Sequence, residues 1–169
     1  MERTVLFLTR KNHNECFFLE LPCDNLEITS ELGDDWSALY QIRDYKTDSL
    51  VYDNIKLSHL FRINSICQRM CKLNESEHEI VKLLANLKTP SIESYENALR
   101  NYYAYELLDG TDMEQVGRFI LEDVLHVDIH NGILGHAINV YAIGKEAFLT
   151  QLAIPVSNNR TLIKAIEIS

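Results

Sequence analysis

Residues 57–73, LSHLFRINSICQRMCKL, decide the fold class, because here the spacing of apolar side chains changes along the chain. Leu57, Leu60, Phe61, Ile63, Ile66, Cys67 and Met70 recur at helical intervals and mark one apolar stripe. Upstream the period is that of strands. Thr4 to Thr9 reads as a strand, Arg10 to Asn14 as a turn, and Cys16 to Leu21 as an antiparallel partner that Pro22 ends. Asp24 suits the N-cap of a short helix through Leu32, with Glu27 placed to complete a capping box and Gly33 to stop it. Ser37 to Tyr45 alternates as a third strand.

Downstream the helical period continues. Ile80, Val81, Leu83, Leu84 and Leu87 predict a helix over Glu77 to Leu87, terminated by Thr89-Pro90. Ser91 begins another helix, which runs into a tyrosine-rich stretch of Tyr95, Tyr102, Tyr103 and Tyr105. Asp112 caps a helix whose core stripe is Met113, Val116, Phe119, Ile120 and Val124. Gly132 and Gly135 flank a turn, and a last helix is placed over Lys145 to Thr150. A final hairpin joins Leu152 to Val156 with Leu162 to Ile168 through Ser157-Asn158-Asn159. The class is α+β in three small subdomains: an N-terminal sheet with a helix (1–55), a helical middle (56–108), and C-terminal helices with a hairpin (109–169).

Charge is distributed unevenly. The chain has 25 carboxylates against 16 lysines and arginines, for a net −9, yet residues 56–90 hold three acids and six bases. Those bases are Lys56, Arg62, Arg69, Lys72, Lys82 and Lys88. Both flanks are acidic, so the surface repels nucleic acid and attracts basic proteins. No apolar run reaches the length of a membrane span, and MERTVLFLTRK has too short an apolar stretch for a signal peptide. The expectation is a soluble cytoplasmic protein, with four reduced cysteines of which Cys67 and Cys71 share a helix face as buried apolar groups.

Motifs for catalysis are absent: there is no nucleotide-binding glycine loop, nucleophile elbow, zinc-protease motif or paired short-spaced cysteine set. No catalytic residue, metal site or cofactor is therefore assigned. The one local cluster of metal-ligating types is His126, Asp128, His130 and His136, which as a site would make a small metal-dependent hydrolase. In a segment between a helix and a glycine-rich turn it reads as a solvated loop. His59 and His78 read as polar helix surface. Trp36, after Asp34-Asp35, reads as a cover for the core or as an anchor at an interface.

Six short segments in a fixed order carry a resemblance. They are Phe17-Phe18-Leu19-Glu20-Leu21-Pro22, a strand with a proline stop; Ile42-Arg43-Asp44-Tyr45, a strand ending in aspartate and tyrosine; and the helix Leu57 to Met70. Then come Leu83-Leu84 ahead of Ser91-Ile92-Glu93, Asp112-Met113 through Phe119, and Ala142-Ile143-Gly144-Lys145-Glu146. Over about 150 residues this series resembles the ArdA antirestriction family. The last segment departs from the family's usual aromatic, glycine, arginine and aspartate. The chain is also less acidic than is general in the family, and its middle is basic.

The resemblance implies an elongated, three-part fold, a homodimer formed through the C-terminal third, and no enzymatic activity. It implies a curved acidic surface that imitates DNA and occupies the DNA groove of type I restriction-modification enzymes, as part of a phage or other mobile genetic element. An inhibitor of a CRISPR effector nuclease on the same scaffold is the alternative. DNA carries about one charge per 1.7 Å of axis, and carboxylates three or four apart on a helix lie about 5–6 Å from each other. The candidate phosphate mimics are Asp34, Asp35, Asp44, Asp48, Asp53, Glu93, Glu96, Glu106, Asp109, Asp112, Glu114, Glu122, Asp123 and Asp128. Among them Glu93 with Glu96, Glu106 with Asp109, Asp109 with Asp112, and Glu122 with Asp123 give such spacing where their segments are helical.

Overall fold

The computed structural model describes residues 4–13, 15–44, 46–47, 49–127, 129, 139–156 and 159–165. The protein is α+β, with an N-terminal sheet, a run of helices, and a second sheet towards the C-terminus. It divides into two compact units, Met1–Asn74 with Ser91–Leu99, and Glu75–Pro90 with Arg100–Ser169. The segment 56–108 is thus shared between the two units.

In the first unit, β1 (Thr4–Arg10), β2 (Cys16–Leu21), β3 (Leu39–Arg43) and β4 (Leu50–Lys56) form an antiparallel sheet in the order β2-β1-β3-β4. Strand alternation puts Leu8, Leu19, Leu21, Tyr40, Ile42 and Ile55 on one face. They are buried there with Ile28 and Leu32 of α1 (Asn25–Leu32) and Leu57 and Leu60 of α2 (Leu57–Met70). Each such fully buried aliphatic side chain contributes about 1.5–3 kcal/mol by leaving water. The Tyr40 hydroxyl donates to the Leu32 carbonyl (3.0 Å), so its polar end is satisfied inside the core.

Helix α1 begins where the Asp24 carboxylate accepts from the Leu26 amide (3.0 Å), and it ends at Gly33, whose φ of 78° suits glycine. Asn64 of α2 is fully buried. It accepts from the Cys23 amide (3.0 Å) and donates to the Cys23 carbonyl (2.9 Å) and the Asn25 side chain (3.0 Å), which clamps the turn after β2 onto the helix. The third strand is shorter than the Ser37 to Tyr45 expected, because Ser37 belongs to a turn, and Tyr45 lies outside the described residues.

In the second unit, β5 (Tyr105–Asp109), β6 (Ala153–Val156) and β7 (Arg160–Lys164) form an antiparallel sheet in the order β5-β7-β6. Ile80, Val81 and Ala85 are the buried residues of α3 (Glu75–Asn86), whereas α4 (Ile92–Asn101) crosses from the first unit into this one at Arg100. Helix α5 (Met113–Phe119) is capped by Asp112 and continues into a π-helical turn, Ile120–Val124. Helix α6 (Val140–Leu149) is capped by Asn139 and starts earlier than the Lys145 expected. Gly144, which on sequence argues against a helix interior, lies inside it because α5 and α6 meet at Gly117 and Gly144. A Cβ on Gly144 would stand 2.7 Å from the Met113 carbonyl carbon and 3.0 Å from the Gly117 amide nitrogen. Val116, Ile120, Ala147, Ala153 and Ile163 form the core beside this crossing.

The apolar run Phe148 to Val156 is divided between helix and strand. Phe148 and Leu152 pack on that core, Ala153 is buried within it, and Leu149 is exposed. Pro155 sits on the edge strand β6, where its missing N–H breaks no ladder bond. Gly132, Gly135, Ser157, Asn158 and the residues after Ala165 lie outside the described residues.

Candidate acidic interface

Four carboxylates of the first unit's sheet region were candidates besides Asp48, which lies outside the described residues. Asp35 opens the turn Asp35–Ala38, where the Ala38 amide donates to the Asp35 carbonyl (3.1 Å). Its carboxylate accepts from the Ser37 hydroxyl (2.6 Å) and amide (3.0 Å) and pairs with Arg10 (2.6 Å). Those two Ser37 bonds, and then the Arg10 charge, hold the carboxyl below its ordinary pKa. Asp34 next to it is exposed and has no ion-pair partner among the described residues.

Asp44 holds the β3–β4 turn by accepting from the Thr47 amide (2.8 Å), the Thr47 hydroxyl (2.9 Å) and the Lys46 amide (2.9 Å). The Thr47 amide lowers its pKa most. Asp53 accepts from Gln41 (3.2 Å), the Asn54 amide (2.8 Å) and Lys11 (3.2 Å), and these lower its pKa in that order. All three groups therefore stay ionised through neutral pH, at positions fixed by backbone amides and neighbouring side chains.

Glu93 and Glu96 are spaced one helical turn apart on α4, as expected, but both meet Arg62 of α2. Arg62 Nε donates to Glu96 Oε1 (2.8 Å), and Nη2 donates to Glu96 Oε2 (2.8 Å) and Glu93 Oε1 (3.0 Å). The Arg62 pKa is raised by Glu96 first and Glu93 second, while that of Glu93 is lowered by its own amide at the helix start and then by Arg62. Arg69, also on α2, donates to the Leu99 carbonyl at the end of α4 (2.5 Å). Two of the six bases in the basic stretch are therefore engaged within their own unit. Lys56, Lys72, Lys82 and Lys88 are exposed.

In the second unit, Glu106 and Asp109 lie on β5, not on a helix. Three residues apart on a strand they face opposite sides, so no row of charge runs from Glu106 through Asp109 to Asp112. The β-prone tyrosines before them favour the strand, which the pairing of Tyr105 with Lys164 and Asp109 with Arg160 completes. Asp109 pairs with Arg160 (3.1 Å), which also bonds Glu79 of α3. Asp112 accepts from the Glu114 amide (3.0 Å) and the Gln115 amide (3.4 Å), and Glu114 pairs with Arg118 one turn on (2.8 Å). Glu122 is half-buried and Asp123 exposed, both in the π-helical turn. Glu106, Asp112 and Asp123 are exposed without an ion-pair partner among the described residues.

Trp36 is no core cover: 60% of its surface is exposed, and its ring rests against Phe61 (centroids 5.6 Å apart). His59 accepts from the Lys56 amide (3.2 Å) at the start of α2. All four cysteines are free, with Cys16 exposed and the other three half-buried. Burial first, and then the neighbouring Cys71 and Cys23, raise the Cys67 pKa. His126 is exposed, Asp128, His130 and His136 lie outside the described residues, and among the described residues no three metal-ligating side chains converge. Among the described residues no helix is long and apolar enough to cross a membrane.

By charge the two units are alike. The first carries 13 carboxylates against nine lysines and arginines and the second 12 against seven, so they are net −4 and −5. A scan against protein-family models finds none that matches the chain, and a search of curated proteins finds no match either.

Proposed function

We propose that this chain is a DNA-mimicking antirestriction protein of the ArdA kind, which binds type I restriction-modification enzymes and keeps DNA out of their binding groove. The observation that carries the proposal is that both units are net acidic and present exposed carboxylates at fixed positions. Asp112, which accepts from the Glu114 and Gln115 amides, is held as a stationary charge, as a phosphate is. The ordered resemblance to the ArdA family supplies the target class. In this reading the protein acts in a bacterial cytoplasm, performs no catalysis, takes no cofactor, and dimerises through its C-terminal third.

The arrangement of ion pairs narrows which acids do the mimicry. Asp35, Asp53, Glu93, Glu96, Asp109 and Glu114 already face an arginine or a lysine, so much of their field is cancelled. Asp34, Glu106, Asp112 and Asp123 are the acids assigned to the target. The test is displacement of a labelled DNA duplex from a purified type I enzyme, run beside a CRISPR effector complex. Displacement from the first supports the proposal, displacement from the second alone replaces the target, and displacement from neither refutes mimicry.

A further inference from the structure

We propose that the Asp35–Ala38 turn is a docking point for an arginine side chain of a protein partner, with the Trp36 indole as the stacking surface and Asp34 as the acceptor. The turn is unusually well fixed for an exposed segment. The Asp35 carboxylate takes two bonds from Ser37 and one from Arg10, the Asp35 carbonyl takes the Ala38 amide, and Gly33 donates to Thr29 just upstream (2.9 Å). This is the geometry that favours aspartate at the first position of a turn, and it puts Trp36 at the tip.

One part of the indole packs on Phe61, which is itself anchored on the first unit's core, while most of the ring is open to water. An exposed tryptophan costs free energy in the unbound protein, and holding it rigid removes the ordering cost of using it in a contact. Rigid aromatic anchors are what interfaces use most strongly. The surroundings select the partner's chemistry. Glu15 and Asp35 share one arginine, Arg10, and Asp34 beside Asp35 is exposed, so the turn remains negative. A planar guanidinium satisfies both demands at once, stacking on the ring and donating to a carboxylate, whereas a lysine ammonium is a point charge with no plane to stack.

The inference rests on the proposed function only in taking the partner to be a basic protein. Trp36 is the sole tryptophan, so intrinsic emission excited selectively from indole reports on this turn alone. The full chain is titrated with oligoarginine and oligolysine peptides of equal length, with affinity measured in parallel by calorimetry. Oligoarginine should change Trp36 emission saturably and bind about threefold or more tighter than oligolysine, the size of one cation–π contact. W36A should abolish the difference between the peptides, and D34N should reduce it while leaving emission responsive. Circular dichroism checks that both variants are folded. Equal affinity for the two peptides, or an arginine preference that persists in W36A, overturns the proposal. A chain that displaces DNA from the restriction enzyme but lacks the preference loses this site and keeps its function; the reverse result does the opposite.

Discussion

Replacing Gly117 with alanine adds one methyl group where two helices touch backbone to backbone. Its Cβ would stand 2.9 Å from the Val140 carbonyl carbon and 3.1 Å from the Gly144 amide nitrogen, with the Val140 carbonyl oxygen closer still. The oxygen sets the limit, so α5 and α6 must move apart by about 1 Å or more, enough to forfeit roughly half of each local contact. Overpacking of this kind costs about 1–3 kcal/mol, and a backbone obstacle that cannot rotate away places it at the upper end. Alanine returns about 1 kcal/mol of helix propensity. The net expectation is a loss of about 2 kcal/mol, a fall in melting temperature on the order of 10 °C for a unit of this size. Urea and thermal unfolding of G117A, G144A and the double variant measure it. The two losses should not add, since one separation of the helices relieves both. Unchanged or increased stability in either single variant would refute the close crossing.

Acidification should destabilise the protein through Asp35, Asp44, Asp53 and Glu93. Their folded pKa values lie below the unfolded ones, so the stability they contribute is complete above the unfolded pKa of about 4 and is lost as pH falls through the folded values. Because burial, and then Lys82, lowers the His78 pKa, a shallow fall in melting temperature is expected below about pH 6.5, steepening below about 4 as these carboxylates protonate, and no steepening below about 4 would contradict the carboxylate contribution. Of the four thiols, exposed Cys16 should react first with Ellman's reagent, while burial slows Cys67; a fast phase that survives C16S argues against this. Asn64→Ala should cost about 1–3 kcal/mol in chemical denaturation by leaving the Cys23 amide without its partner, and a neutral result would mean that the clamp contributes little.

Elements whose side-chain period matched their environment were legible in the sequence, such as β1, β2, α1, α2 and α3. Strand β4 was not, because its pairing with β3 shifts register between Tyr40 and Arg43 and Asn54 takes a positive φ of 58°, so the two-residue alternation fails over Leu50–Lys56. Strand β5 was hidden because it follows α4 after a single 3₁₀ turn, Tyr102–Ala104, and its acids also fit a helical count. The caps Asp24 and Asp112 were readable from local sequence alone, since they act within three residues.

Ion pairing was invisible for the opposite reason. Arg62 finds Glu93 and Glu96 at 31 and 34 residues' separation, and Arg160 finds Glu79 at 81. Spacing along α4 placed Glu93 and Glu96 on one face, but only the fold, which brings Arg62 to them, shows that this face is occupied by a guanidinium. The Glu79 bond to Arg160 ties α3 to the second unit's sheet.

The central claim is that exposed, unpaired carboxylates stand in for DNA phosphates. The most direct measurement is displacement of a labelled DNA duplex from a type I restriction-modification enzyme by the wild type and by a variant with Asp34, Glu106 and Asp123 changed to lysine. The account predicts that the wild type displaces the duplex, less well as salt rises and screens exposed charge, and that the variant keeps its melting temperature and loses displacement. Equal displacement by the folded variant, or none by the wild type in excess, would contradict it.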